Sequence, residues 1–350
     1  MKKLFVSLVA MVCATMSYAQ GSLLATLSHD GTITTYYGSS ALASAHEAAV
    51  SGDVITLSSG QFSAVNITKP ITLRGAGMSV SNDSIAPHES TIIQGTFDIN
   101  LADTLEGRLT MEGLYMNNAV TNKAKLKNAQ FLKCRFYSFL AASGSTIENT
   151  SFIHSRIFDN MVMNNNSNAT FINSIVRNPV SEGAASAVEF DNCVISFCYD
   201  YRDDCSTKMH NTYYKNCIIQ NCYRYTTGRG CIPSNCVAFN SIGLGDNNIF
   251  DYILIKNTTN TYVSDIKTIF KTYSNTSNNL RISDSEFLEL TDEAKTKYLG
   301  TDGTQVGIYG GNLTYNENPT TPQITKCNVA AKSTADGKLS VDIEVKAADY

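Results

Sequence analysis

The stretch Phe190-Asp191-Asn192-Cys193-Val194-Ile195 decides the fold, because its pattern returns along the chain at a nearly constant spacing. In most copies an aromatic residue stands three positions before a Cys or Ser. These aromatic positions are Phe131, Phe152, Phe171, Phe190 and Tyr214. The Cys or Ser positions, which are 19 to 24 residues apart, are Cys134, Ser155, Ser174, Cys193, Cys217 and Cys236. A repeat of this length with short β-rich units indicates a solenoid, in which stacked coils bury a continuous core.

The position of a residue within the repeat predicts where its side chain points. We expect the aromatic residue, the Cys or Ser, and the apolar residue two positions after it to face inward. The Asn directly before the Cys or Ser suits a tight corner, because Asn tolerates a left-handed backbone. The corner positions are Asn173, Asn192, Asn216 and Asn235. Stacked coil upon coil, their side chains would form a hydrogen-bonded ladder along the axis; the alternative is a set of unrelated turn residues.

The residue after each Cys or Ser is expected to face outward. In the later repeats this residue is apolar, so an apolar outer row is predicted. Its members are Ile175, Val194, Ile218 and Val237. Such a row should not remain exposed to water. Either a loop or the C-terminal hairpin covers it, or it is a stripe that binds a partner.

The repeat resembles the right-handed parallel β-helix of the pectate-lyase-like superfamily, in a secreted Bacteroidetes-type form. The opening order of a helix, Gly52-Asp53-Val54-Ile55-Thr56-Leu57 and Lys69-Pro70-Ile71-Thr72-Leu73 is similar to the first coils of that superfamily. The resemblance covers roughly residues 41–270 and implies an all-β fold of roughly ten coils. It says little about activity, because the superfamily contains lyases, hydrolases, adhesins and proteins without catalysis.

Composition shifts divide the chain into five segments. We expect a signal peptide at 1–19, an N-terminal strand and capping helix at 20–51, a parallel β-helix at 52–285, a C-terminal cap at 286–315, and a linker with a β-hairpin tail at 316–350. The helix should begin after Ser39 or Ser40 and stop before Gly52. Within the cap, residues 286–299 are expected to be helical. Two segments before it, 249–256 and 266–273, are each expected to form another pair of strands.

The first 19 residues have the pattern of a secretory leader. Lys2 and Lys3 precede an apolar stretch, and Ser17 and Ala19 supply small residues for cleavage. We therefore expect a secreted, periplasmic or cell-surface protein without membrane insertion. The net charge is −4, and loss of the two leader lysines makes it more negative. This acidity argues against a nucleic-acid partner. We expect a monomer.

The richest group of aromatic and charged residues follows the repeat that contains Cys193. The predicted ligand-binding residues are Tyr199, Tyr201, Tyr223, Tyr225 and Arg229. Tyr rings offer flat platforms for sugars, and Arg and Asp can hydrogen-bond to hydroxyl or carboxylate groups. The leading prediction is therefore binding of an extended polysaccharide without catalysis. A purely structural reading also stands, in which Asp200 pairs with Arg224 and the Tyr rings cover the coil.

Two further functions remain open. In a polysaccharide lyase, Arg or Lys would take the proton next to a uronate carboxylate, and Ca²⁺ would be held by carboxylates. In a glycoside hydrolase, two carboxyl groups would act as acid and base. The catalytic candidates are Asp200, Arg202, Asp203, Asp204 and Arg224. The third function is that of a structural or adhesive surface protein.

The cysteines are divided between the core and the loops. Those of the inward stack should behave as small apolar residues. Cys205 and Cys231 lie in the predicted loops and are the candidates for a disulfide in an oxidising compartment. No His has the Cys neighbours of a zinc site, so no metal site is predicted.

Overall fold

The computed structural model describes residues 23–79, 90–164, 166–181, 186–196, 212–220, 249–251, 261–263, 266–272, 288–320, 322–329, 332–334 and 336–346. This part of the chain is an all-β solenoid of about 6 turns with very little α-helix. The parallel β-helix predicted from the repeat is therefore confirmed. Roughly ten coils were expected, whereas the solenoid has about 6 turns. The difference lies in the third sheet, which has six strands where the first and second sheets have ten each.

Three sheets form the walls of the solenoid. Along its axis, the first sheet contains Thr32–Tyr37, Leu24–His29, Val54–Leu57, Thr72–Arg74, Thr110–Glu112, Gln130–Leu132, Thr150–Ile153, Asn168–Ile172, Ala187–Asp191 and Thr212–Lys215. The second contains Gly60–Ser63, Thr91–Gln94, Leu114–Met116, Arg135–Phe136, Arg156–Ile157, Ile175–Arg177, Val194–Ser196, Ile218–Gln220, Ile249–Asp251 and Thr261–Val263. The third contains Asn66–Ile67, Phe97–Ile99, Val120–Asn122, Phe139–Ala141, Met161–Met163 and Pro179–Ser181.

The remaining elements are short. Two parallel strands, Lys125–Lys127 and Thr146–Glu148, form a small sheet of their own. The α-helices are Ala41–Ala48 and Asp292–Lys297, and Ile266–Ile269 is a 3₁₀ helix. Gln323–Val329 and Val341–Lys346 pair as an antiparallel hairpin, as the sequence predicted for the tail. In the described parts of these segments, residues 249–251 form a strand, residues 266–269 form a 3₁₀ helix instead, and the predicted helix occupies only Asp292–Lys297 of residues 288–299.

The aromatic residues of the repeat form a stack inside the solenoid. Phe152, Phe171 and Phe190 are completely buried. Their ring centroids are 4.7 Å apart from one turn to the next, and the planes differ by only 9° and 12°. Phe131 and Tyr214 extend the stack at its two ends. Parallel in-register strands place identical positions about 4.8 Å apart, so stacked rings are the natural filling of this core.

The Cys and Ser side chains form a second buried column. The Ser155 hydroxyl donates to the Phe131 carbonyl oxygen at 3.2 Å, and the Cys134 amide donates to the Ser155 hydroxyl at 3.3 Å. Each small polar side chain thereby bonds to backbone groups of the preceding turn. These contacts satisfy backbone groups at the corner, where the strand ladder is interrupted. The predicted inward orientation is confirmed for the described members of the column.

The corner between the first and second sheets requires a left-handed backbone. The φ angles of Asn173, Asn192 and Asn216 are 43°, 51° and 52°. Lys133 and His154 hold the same position with φ of 50° and 49°. The sequence prediction of an Asn corner is therefore confirmed for the described turns. Non-glycine residues other than Asn or Asp seldom adopt this conformation, so Lys133 and His154 must be held there by other contacts.

The N-terminal end of the solenoid is closed by a hairpin and a helix. Leu24–His29 and Thr32–Tyr37 pair antiparallel around Asp30 and Gly31, and Leu24–His29 also pairs with Val54–Leu57. The helix Ala41–Ala48 buries Leu42 and Ala45 against the end of the core. Ser40 is its N-cap residue but makes no side-chain capping bond. The expected cap of the solenoid is therefore present.

A C-terminal segment, residues 298–320, lies along the outside of the corner, and we call it the strap. Asn173 donates to the carbonyl oxygens of Ile308 and Gly310, each at 2.8 Å, and the Asn216 side-chain oxygen accepts from the Thr301 amide at 2.9 Å. The expected Asn ladder is therefore wrong for these residues, because the strap supplies their partners.

Candidate functional site

Every residue that the sequence assigned to ligand binding or catalysis lies outside the described residues. These residues are Tyr199, Asp200, Tyr201, Arg202, Asp203, Asp204, Tyr223, Arg224, Tyr225 and Arg229. The disulfide candidates Cys205 and Cys231 lie outside them as well. The last described element before Tyr199 is the strand Val194–Ser196 of the second sheet. The second sheet is thus the described sheet closest in sequence to the predicted site.

Two columns of side chains lie on the outer face of the second sheet. In the first column, the parallel register aligns Tyr115, Arg135, Arg156, Ile175, Val194 and Ile218. The second column lies two positions later in the chain, beyond one inward-facing residue. There the same register aligns Asn117, Tyr137, Phe158, Arg177 and Ser196. We define the aromatic–arginine face as Tyr115, Arg135, Tyr137, Phe158 and Arg177.

Arg135 lies between two aromatic rings of this face. Its guanidinium carbon is 4.2 Å from the centroid of the Tyr115 ring and 4.6 Å from that of Phe158. Both distances are within the range of a cation–π contact. The Arg156 guanidinium also approaches the Phe158 ring, at 5.3 Å. These contacts hold flat guanidinium groups and aromatic rings together on neighbouring turns.

Tyr137 is the most accessible aromatic residue of the face. Half of its surface is exposed (50%), whereas Phe158 is buried (6%). The Tyr115 hydroxyl donates to the side-chain oxygen of Asn117 at 2.8 Å. Next to Phe158, the Asp159 carboxylate accepts hydrogen bonds from Ser138 and Asn160 at 3.1 and 2.6 Å. The face therefore combines an open ring with fixed donors and acceptors.

The strap covers the part of the first column that continues beyond Arg156. Ile175, Val194 and Ile218 are buried with the strap residues Val306 and Ile308 in a second apolar cluster. Other members of the cluster are Met78, Ile269, Phe270, Leu288, Leu290, Ala294 and Tyr315. The apolar outer row predicted from the sequence is therefore covered for its described members, by the strap together with the apolar residues that precede it in this cluster.

At the boundary between the strap and the face lies a buried ion pair. The Arg156 guanidinium is 2.7 Å from the Glu317 carboxylate, and their side chains are only 6% and 17% exposed. The Tyr315 hydroxyl donates to the same carboxylate oxygen at 2.7 Å. Burial opposes the charge of Glu317, but Arg156 and the hydroxyl of Tyr315 outweigh it and hold the pKa of Glu317 below its ordinary value. Burial raises the pKa of Tyr315.

His154, two residues before Arg156, also holds the strap. Its Nε2 donates to the Leu313 carbonyl oxygen at 3.2 Å, and its Nδ1 is buried without a hydrogen-bond partner. Burial lowers the pKa of His154, although the Leu313 carbonyl opposes the shift. His154 occupies the corner position of its turn with φ of 49°, and this contact gives it a structural role there. Lys133 contacts the strap similarly, since its ammonium donates to the Asn318 carbonyl oxygen at 3.0 Å.

The aromatic–arginine face was not predicted, although the sequence contains the signal for its outward arginines. The residues after Cys134 and Ser155 are Arg135 and Arg156, which occupy the same outward position as Val194. The outward rule was applied only to the apolar members. Its extension to the earlier turns would have placed two guanidinium groups on adjacent strands.

The described part of the chain contains neither a metal-binding cluster nor a membrane-spanning helix. Among these residues, no group of three or more His, Cys, Asp or Glu side chains could hold a metal ion. No described helix is long and apolar enough to cross a membrane. Cys134, Cys193 and Cys217 are buried and form no disulfide, as the sequence predicted for the inward stack. Burial raises the pKa of Cys134 to about 12.

Comparison with known proteins gives no family assignment. No family model, no curated protein and no solved structure matches this chain.

Proposed function

We propose that this chain binds an extended polysaccharide on the outer face of its β-helix, without catalysis, in the periplasm or outside the cell. The observation that carries the proposal is the aromatic–arginine face, where Arg135 lies between two rings beside the half-exposed Tyr137. The residues predicted for binding, from Tyr199 onward, follow a strand of the same sheet. A secreted protein resembling the pectate-lyase-like superfamily would suit this role.

The chemistry of the face suits a sugar polymer. An aromatic ring offers a flat apolar surface to the C–H groups of a sugar, and a guanidinium forms paired hydrogen bonds with hydroxyl or carboxylate groups. The stacked rings of the core show that equivalent positions repeat every 4.7 Å. Such a straight, periodic surface can contact successive units of an extended chain, whereas a compact ligand would use only one turn.

Tyr137→Ala tests the proposal. The chain without residues 1–19 would be incubated with a panel of plant, host and bacterial polysaccharides, and binding would be measured by pull-down and calorimetry. We expect the variant to bind roughly tenfold more weakly, which corresponds to a ring contact of about 1.4 kcal/mol. Tyr213→Ala is the matched control, because Tyr213 lies on the first sheet. Equal affinity of both variants and the parent would contradict the role of the face.

The same incubations distinguish the alternative functions. With and without Ca²⁺, ultraviolet absorbance would report the unsaturated products of a lyase, and a reducing-sugar assay would report those of a hydrolase. New product ends would replace the binding proposal with an enzyme and direct attention to Asp200, Arg202, Asp203, Asp204 and Arg224. If neither binding nor product is detected, the structural or adhesive role is favoured.

A further inference from the structure

The strand Thr32–Tyr37 forms one edge of the first sheet. It pairs with Leu24–His29 on one side, and no described strand pairs with its other side. Natural edge strands are usually protected by charged residues, proline or short length. This strand, Thr32-Ile33-Thr34-Thr35-Tyr36-Tyr37, has six residues, no charge and no proline. Its residues are those with high β propensity.

The hydrogen-bond pattern shows which backbone groups face the open edge. Gly38 N–H donates to the Leu23 carbonyl oxygen at 2.9 Å, so Leu23 and Gly38 are a hydrogen-bonded pair. In an antiparallel ladder every second pair is of this kind. With the observed register, the backbone groups of Tyr36, Thr34 and Thr32 therefore point to the neighbouring strand. Those of Ile33, Thr35 and Tyr37 point to the open edge.

A bond on the far side of the hairpin supports this assignment. Ser58 N–H donates to the Leu24 carbonyl oxygen at 2.9 Å, so Leu24 directs its backbone toward Val54–Leu57 and not toward Tyr37. Tyr37 lies opposite Leu24 in the hairpin. Its amide and carbonyl groups must then face away from the hairpin.

Two of the residues that present backbone groups at the edge also carry strongly exposed side chains. Ile33 and Tyr37 are 69% and 67% exposed, the highest values among the large apolar residues of the described chain. They lie on the face opposite Ala25 and Leu27, which are buried in the core. Both their backbone edge and their side chains are therefore accessible to a partner strand.

The occupant that fits this edge is the same strand of a second copy. We propose that two copies pair antiparallel through Thr32–Tyr37, with a two-fold axis at Thr35. Thr35 then lies opposite Thr35 of the second copy, and Ile33 lies opposite Tyr37. Each residue with edge-facing backbone groups then lies opposite another such residue, so the two strands exchange hydrogen bonds at each of these positions. A β-branched residue opposite an aromatic one is a favourable cross-strand pair.

The charges near the strand permit this register. In the paired arrangement Asp30 lies opposite Ser40, so its carboxylate does not meet a like charge. A strand without charge also meets its own copy without repulsion, which distinguishes this edge from those that natural sheets protect. The sequence analysis expected a monomer; the edge strand instead predicts a concentration-dependent dimer.

Proline at position 35 tests the proposal. Thr35→Pro removes an edge-facing N–H that makes no bond within the hairpin, and proline is tolerated at such edge positions. Sedimentation velocity of the chain without residues 1–19 should show a dimer at high concentration. The variant should associate roughly tenfold more weakly or not at all. Thr35→Val keeps the N–H and should associate like the parent. A monomer at all concentrations, or an unweakened proline variant, would overturn the proposal.

Cross-linking tests the register. The two Cα atoms of a hydrogen-bonded antiparallel pair are about 5.5 Å apart, which a disulfide can span. Thr35→Cys should therefore form a covalent dimer under mild oxidation, above the level of the parent chain on a non-reducing gel. Ile33→Cys should not, because it lies opposite Tyr37. Equal cross-linking of the two variants would overturn the two-fold axis at Thr35.

Discussion

At the residue scale, the corner positions connect local conformation to long-range packing. Asn173 adopts φ of 43°, and its amide donates to two carbonyl oxygens of the strap. Asn is suited to both tasks, because it accepts the left-handed conformation and carries two donors on a short side chain. Where the corner residue is Lys133 or His154, a longer side chain reaches the strap instead.

Asn173→Asp should separate these two tasks. The new side chain keeps the size and the tolerance for positive φ, but it removes both donors and places a carboxylate against two carbonyl oxygens. We expect a loss of roughly 2–4 kcal/mol in the free energy of unfolding, measured by urea denaturation at neutral pH.

Asn149→Asp is the matched control for this variant. Asn149 has a similar φ of 48° but is exposed, and its amide donates only to the side chain of Asn128. Its change should cost about 0.5 kcal/mol or less. Equal losses for the two variants would show that the strap contacts of Asn173 do not stabilise the fold.

At the element scale, the strap is an irregular segment held by individual polar contacts and one apolar cluster. Gly307 shows how closely it packs, because a Cβ built there would lie 2.7 Å from the Ile218 side chain. The φ of Gly307 is also 83°, so this position requires glycine on both counts. The strap thus closes the open flank of the second sheet without forming a strand.

The protein should become less stable to unfolding as the pH falls. His154→Asn tests whether His154 is one cause. Burial lowers the pKa of His154 in the folded protein, so the unfolded chain takes up a proton that the folded one resists. The contribution of His154 to the free energy of unfolding is therefore complete above about pH 6.5. It declines as the pH falls toward the lowered pKa of the folded state. Asn fits the corner and does not titrate, so the variant should lose less stability between pH 7 and pH 5.

Unfolding midpoints in urea at several pH values would measure this effect. Glu317 has a lowered pKa in the folded state, so its contribution is lost only below about pH 4.5 and does not interfere. His46, whose pKa burial also lowers, leaves part of the slope in both proteins. Identical slopes for the parent and His154→Asn would exclude His154 as a source of the acid sensitivity.

At the scale of the whole molecule, the described residues form two apolar clusters that stabilise the fold and differ in origin. The first is the interior of the solenoid, built from residues that repeat along the sequence. The second lies outside the second sheet and joins Ile175, Val194 and Ile218 to a segment about 100 residues later in the chain. The hairpin of Gln323–Val329 and Val341–Lys346 forms a separate sheet of two strands.

Truncation should show how much the strap and the hairpin each contribute to stability. Deletion of residues 298–350 removes the strap and uncovers part of the apolar row, so we expect a lower unfolding temperature and increased binding of a hydrophobic dye. Deletion of residues 322–350 removes only the hairpin, and the unfolding temperature should stay close to that of the full chain. If the shorter deletion were as destabilising as the longer one, the row would depend on the hairpin and not on the strap.

The sequence by itself determined the solenoid. The repeat of an aromatic residue, Asn, and Cys or Ser predicts the turns, the inward columns and the left-handed corners, because each depends on side-chain alternation and local backbone preference. The stack of Phe152, Phe171 and Phe190 and the buried thiols follow from the same local rules. The same alternation predicted that Val194 would face outward and require a cover.

Only the tertiary structure decided what lies on the outside of the solenoid. The strap has no periodic pattern, so nothing in its sequence indicates that Ile308 and Gly310 accept bonds from Asn173. The aromatic–arginine face is likewise assembled from Tyr115, Arg135 and Phe158, which lie on three different turns. Contacts of this kind depend on packing between residues distant in the chain, whereas local preferences fix only the units that are packed.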